Sequence, residues 1–198
     1  MTKLQKIPMA HDVFLLRHGE TEWNNAGRIQ GQLNSPLTAL GQDQARRQAQ
    51  LLQPIRSALG AHRLWTSHLG RAQQTAQLAF AGDPFTTDPR LAEIDCGRWE
   101  GTTDADRQKA DPDIIASLNS EFDLYAMSPE GEGTEKLASR LAAFLTELDA
   151  PAVIVSHKIA LVVLRGLLTG DDNPLDCRFV PPQGSILQIS AGVATSHT

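Results

Sequence analysis

A chain of 198 residues with 41% hydrophobic content is long enough for one compact domain with a sizeable core. Its net charge of -5 is spread along the sequence and argues against a general nucleic-acid binder, which needs clustered Lys and Arg, so any bound anion is expected in a local pocket. Cys96 and Cys177 are far apart with no Cys-x-x-Cys spacing, and neither the N-terminal "MTKLQKIPMAHD" nor any later stretch has the apolar length of a signal peptide or a membrane span. These features point to a soluble, cytoplasmic protein with reduced thiols and no membrane partner.

In chain order, "DVFLL" (Asp12 to Leu16) is a short apolar run that suits a strand buried on both faces. "GETEWNNAGRIQGQLNSPL" follows as a loop. Thr38 is placed to cap a helix running to about Gln53, with Ala45, Ala49 and Leu52 on one face and Pro54 ending or bending it. "HRLWTS" reads as a second strand, Leu69 to Phe80 as a helix, and "FTTDPRL" as an edge strand.

Residues 102–128 are more polar, and Asp111 with Pro112 is placed to cap and start a short helix carrying Ile114, Ile115 and Leu118. Thr134 begins an amphipathic helix with Leu137, Leu141, Leu145 and Leu148 on one face. "PAVIVS" is a further buried strand. "IALVVLRGLLTG" is a core helix ending at Gly170, and "SILQIS" is a last strand before an Ala191-Gly192 turn. Alternating strands and helices predict a three-layer α/β/α sandwich on a mostly parallel sheet, one domain over 1–198 with a helical insertion at about 102–128 across one end of the sheet.

Ligands of open parallel sheets bind beyond the carboxyl ends of the strands. Three such ends here are basic. "VFLL" delivers Arg17-His18, "LWTS" leads to Arg71, and "AVIVS" delivers His157-Lys158. Arg71 and Lys158 should each lie in the first turn of a helix, where the dipole disfavours a cation unless an anion binds there. Arginine forks and helix starts both suit phosphate. His11, His62, His68 and His197 show no ligand-like spacing, so no metal is expected.

"RHGETEWN", "GRIQGQLNSPLTALGQDQA", "TSHLGRAQQTA", "LAEIDCGRWEG" and "VIVSH", in this order, resemble the motifs of the histidine phosphatase superfamily, the phosphoglycerate mutase-like group, from Val13 to about Leu168. The resemblance implies that His18 is a nucleophile that becomes phosphorylated. It implies that Arg17, Arg71 and His157 hold the phosphoryl oxygens, that Asn24 touches the same group, and that Gln30 and Gly31 line the pocket. Glu93 matches the proton donor, while Asp95 and Glu100 lie close enough in sequence to remain alternatives. Trp23 and Trp99 fit either a pocket wall or packing.

The chemistry is reasonable on its own terms. A neutral imidazole attacks phosphorus through one nitrogen while a carbonyl holds the proton on the other, and Gly19 gives room for the turn. Guanidiniums and a second imidazole stabilise the transferring group, and Glu93 can supply a proton where burial favours its neutral form. The expected activity is a metal- and cofactor-independent phosphomonoesterase that takes a small phosphorylated metabolite and releases inorganic phosphate. A phosphoglycerate mutase-type transfer and a non-catalytic phosphate sensor are the alternatives.

The stretch after the acid, "IDCGRWEG", resembles the phosphatase branch. Two departures bear on substrate. Lys158 stands where the family often has Gly, and a long cation there either reaches a second anionic group, which would favour a substrate with a carboxylate or second phosphate, or narrows the entrance. "SPEGEGTEKL" replaces a Pro-Gly-Gly-Glu-Ser run, putting Glu130 and Gly133 in a neighbouring loop.

Overall fold

The computed structural model describes residues 4–198. Met1 to Lys3, part of the N-terminal stretch read above as lacking a signal sequence, lie outside the described residues. The elements in order are β1 (Val13–Arg17), α1 (Glu22–Asn25), α2 (Ala39–Leu59), β2 (Arg63–Ser67), α3 (Gly70–Ala79), β3 (Thr86–Asp88), α4 (Asp104–Ala110), α5 (Pro112–Ser117), α6 (Glu121–Ala126), α7 (Gly133–Thr146), β4 (Ala152–Ser156), α8 (Lys158–Thr169), β5 (Ile186–Ser190) and β6 (Val193–His197).

The strands form one six-stranded sheet in the order β3-β2-β4-β1-β5-β6. β3, β2, β4 and β1 run parallel, while β5 is antiparallel to both its neighbours. The sheet is therefore mixed, and the fold is α/β with helices on both faces.

The period-2 pattern of the strands explains how two cores arise. On β1, Val13 and Leu15 enter one cluster and Phe14 and Leu16 the other; on β4, Ala152 and Ile154 divide from Val153 and Val155 in the same way. α7 and α8 cover the first face with Leu137, Leu141, Phe144, Leu161 and Leu164, and α2 and α3 cover the second with Leu52, Ala72, Ala76 and Ala79. Among the described residues, no helix is long and apolar enough to cross a membrane.

Four expectations need correction. α2 runs on through Pro54 to Leu59, because Ile55 and Leu59 continue the face that packs on the second core while Pro54 sits exposed on the outer side. Asp111 precedes α5 without capping it; its carboxylate accepts instead from Arg98 Nη2 at 2.6 Å and Trp99 Nε1 at 2.7 Å. α7 starts one residue before Thr134 and ends at Thr146, so Leu148 packs on the core from beyond the helix. The chain also does not end its sheet at β5: Ala191 (φ 50°) and Gly192 (φ 84°) form a two-residue turn into β6, an exposed edge strand whose polar side chains carry no burial signal.

The polar segment at about 102–128 is three short helices, α4 to α6, of which α6 reaches the carboxyl edge of the sheet through Glu121.

Candidate active site

Sheet register assembles the site. Arg17 on β1 pairs with Ser156 on β4, so the next residues of each strand, His18 and His157, leave the sheet side by side. Their rings lie 5.1 Å apart, tilted by 55°. β2 flanks β4 on the other side, and its chain turns at once into α3, bringing Arg71 in its first turn to the same edge. Glu93 arrives from the loop that follows β3.

His18 is buried, and its Nδ1 lies 2.7 Å from the Gly19 carbonyl. A carbonyl only accepts, so Nδ1 carries the proton and Nε2 keeps its lone pair. Burial pushes the His18 imidazolium well below its ordinary value, with Arg71 and then Arg17 adding to the effect. The loop is fixed by close backbone contact. A Cβ on Gly19 would lie 2.2 Å from the Gly41 carbonyl oxygen, so Gly19 is needed for the approach to α2 rather than for a turn. Gly19 N–H also donates to Thr75 Oγ1 on α3 at 3.0 Å.

His157 is wholly buried, and neither ring nitrogen has a hydrogen-bond partner. Burial, then Arg71 and His18, hold it neutral far below its usual range. Arg17 Nε and Arg71 Nε are likewise buried without partners. Burial lowers both guanidiniums, Arg71 to about 10. The site thus gathers donors around His18 that the protein itself leaves unmatched.

The other Arg71 nitrogens grip the loop after β1, Nη1 donating to the Leu33 carbonyl at 2.6 Å and Nη2 to the Gly31 carbonyl at 2.7 Å. Gln30 is buried beside them with its Oε1 unpaired. Asn24 is more distant in role: its Oδ1 accepts from Thr21 N–H at 3.2 Å, completing a capping box on α1, and from Gln183 at 3.4 Å.

The three carboxylates near the site divide cleanly. Glu93 is buried, and its oxygens accept from the N–H groups of Ile94 and Ala160, each at 3.0 Å, and of Ile159 at 3.2 Å, which sets it against the start of α8 next to His157. Asp95 caps its own turn, accepting from Gly97 N–H at 2.7 Å. Glu100 holds the Gly31 loop, accepting from Gln32 N–H at 2.7 Å, Leu33 N–H at 3.2 Å and Cys96 N–H at 3.1 Å. A Cβ on Gly31 would collide with Glu100. Trp99 is a core residue, and Trp23 is half-buried with its ring edge toward Gly101.

Lys158 begins α8 and forms an ion pair with Glu121 of α6. Glu121 and its neighbour Tyr125 were not anticipated. The charges of both Glu93 and Arg17 act on Tyr125, whose hydroxyl burial pushes up. The Arg140–Glu132 pair was also missed. Arg140 donates to Glu132 through Nε at 3.0 Å and Nη2 at 2.6 Å, and to the carbonyls of Arg90 (2.5 Å), Ala92 (2.9 Å) and Glu93 (3.0 Å). It pins the loop that carries Glu93 to α7. No motif signals such a contact, because Glu132 and Arg140, eight positions apart, straddle a helix start.

Residues 13–192 match the histidine phosphatase superfamily (branch 1). The chain belongs to that superfamily. A Proteus mirabilis relative named "Probable phosphoglycerate mutase GpmB" is 39% identical over 175 residues, covering 80% of this chain and 74% of that protein. Among solved structures, the alpha-ribazole phosphatase of Shigella flexneri is similar with a TM-score of 0.77 at 28% identity, covering 94% of each chain. Bacillus stearothermophilus YhfR gives 0.77 at 32% identity over 95% of each. Superfamily members thus carry both mutase and phosphatase names.

Proposed function

We propose that this histidine phosphatase is a phosphomonoesterase that works through a phosphohistidine on His18. The observation that carries the reading is the fixed tautomer of His18, which lies beside the His157 ring and within the field of Arg71 and Arg17, three residues that each keep a buried nitrogen without a partner. In the first step Nε2 bonds to phosphorus as the ester P–O bond breaks, and Glu93 protonates the departing alkoxide. In the second, water attacks phosphohistidine, Glu93 takes its proton and inorganic phosphate leaves. Arg17, Arg71 and His157 bear on the equatorial oxygens, where charge spreads in the transition state.

Two groups must rearrange little. Arg71 already has two nitrogens committed to the Gly31 loop and offers Nε, while His157 offers a ring N–H from a buried position that water does not screen. Glu93 needs one oxygen to turn from the start of α8 toward the leaving group. Asn24, Gln30 and Gly31 line the approach in this reading, and the substrate is a small phosphorylated metabolite met in the cytoplasm.

A mutase shares every step up to phosphohistidine and differs in the acceptor. The name of the Proteus relative favours keeping it as the second reading. The test is hydrolysis of a generic phosphate ester in the presence of chelator, followed by transfer of labelled phosphoryl from a phosphoglycerate. The expected result is label in free phosphate, with turnover reduced at least about ten-thousandfold in His18→Ala. Label in an isomeric phosphoglycerate would establish the mutase, and binding without turnover would establish a phosphate sensor.

A further inference from the structure

The rim of the site is built differently from its floor. Glu121 is the first residue of α6, whose start is capped by the Ser120 side chain and whose Phe122 is buried in the first core cluster. Its carboxylate is therefore held at the edge of the pocket by a fixed backbone. The charge of Glu121 acts on Arg17, Tyr125 and Cys177, which brings it within electrostatic reach of the phosphoryl site. In the pair with Lys158 the lysine side chain is 22% exposed and the glutamate 51%, so the cation lies inward and the anion toward solvent.

Counting charges then gives a substrate preference. Arg17 and Arg71 have no carboxylate partner among the described residues, and their two positive charges match the two negative charges of a phosphoryl group. Lys158, the cation that follows His157 at the start of α8, is already matched by Glu121 and so is not free for a second anionic group on the substrate. Resting on the phosphomonoesterase reading, we infer that Glu121 is a specificity-determining residue: by holding Lys158 it competes with any second anionic group and biases the site toward monoesters with an uncharged leaving group. This reverses the preference that Lys158 suggests when read alone.

The experiment uses two esters that differ at one position, glycerol 3-phosphate and 3-phosphoglycerate, in which a hydroxymethyl group is exchanged for a carboxylate. In Glu121→Gln, the ratio of kcat/KM for 3-phosphoglycerate to that for glycerol 3-phosphate should rise about threefold to tenfold at low salt. In a Lys158→Met background the same substitution should raise it far less, because there is no ammonium to release. An unchanged ratio in Glu121→Gln overturns the inference. So does an equal rise with and without Lys158, which would mean simple repulsion by the carboxylate. If the wild type hydrolyses neither ester, calorimetric affinities for the same two esters across the same variants decide the inference on the same criteria, while the phosphomonoesterase reading itself fails separately only if the generic phosphate ester is not hydrolysed either.

Discussion

The floor and the rim of this pocket differ in how their charges are satisfied. On the floor, His157 and the Nε atoms of Arg17 and Arg71 are buried with no partner, at the general expense of buried donors. At the rim and in the loops around it, nearly every charge has an internal match: Lys158 with Glu121, Arg98 with Asp111, Arg140 with Glu132, and Glu100 with three backbone N–H groups. In the proposed function the unmatched groups beside His18 are the ones that hold the ligand, whereas the Nε atoms of Arg107 and Arg165 are buried and unmatched elsewhere in the fold. Matched groups mark the frame that holds those beside His18.

The difference is sharpest where frame and floor meet, at Arg140. Its guanidinium joins α7 to the carbonyls of residues 90, 92 and 93, and it neutralises the largely buried Glu132. Arg140→Met keeps the apolar stem and removes every one of those bonds. It should lower stability by about 2–4 kcal/mol, since Glu132 is left uncompensated and three carbonyls lose a charged donor. It should also lower kcat by about tenfold with little change in KM, because Glu93, the proposed proton donor, shifts while Arg17, Arg71 and His157 do not. Urea unfolding and steady-state kinetics measure the two effects, and an unchanged kcat would show that Arg140 serves the frame alone.

Acid should act on the floor rather than the rim. His18 and His157 both have folded values depressed by burial and neighbouring guanidiniums, below an ordinary value of 6.5. The unfolded chain therefore binds protons at pH values where the folded chain does not. The stabilising contribution is complete above about pH 6.5 and is lost as pH falls below it, by up to about 1.4 kcal/mol per pH unit for each histidine. Unfolding midpoints between pH 7.5 and 5 should thus drop with acid, less steeply in His157→Gln. Parallel slopes for the two proteins would show that His157 does not carry this linkage.

The same contrast explains what could be read from the sequence. The floor was readable because each of its basic residues follows an apolar run, and the parallel register of β1, β4 and β2 forces such positions together. The frame was not, because its partners are set by tertiary approach: Glu121 reaches Lys158 across 37 residues, and Arg140 reaches Arg90 across 50. Asp111 looked like a cap by its place before Pro112, yet the indole of Trp99 and the guanidinium of Arg98 were stronger claims on its oxygens. Pro54 looked like a stop, but the apolar face beyond it outweighed one missing hydrogen bond. β6 lacked the burial that makes a strand visible, and only its Ala-Gly turn was detectable.

The smallest expected effect lies in the frame as well, at Glu130. This residue is exposed and has a φ of 66°, in the left-handed region, within the loop that sets the start of α7 beside Gly97. An L side chain there costs about 1–2 kcal/mol, while glycine loses roughly 0.5–1 kcal/mol of extra chain entropy on folding. Glu130→Gly should therefore stabilise the protein by about 0.5–1 kcal/mol, raising Tm by roughly 1–4 °C. Activity toward phosphate esters should change little, because the side chain makes no contact with the floor. Glu130→Ala controls for loss of the charge: it keeps the Cβ and the strain, so an equal gain in that variant would place the effect in electrostatics, and no gain in either would show that the loop relaxes the strain by other means.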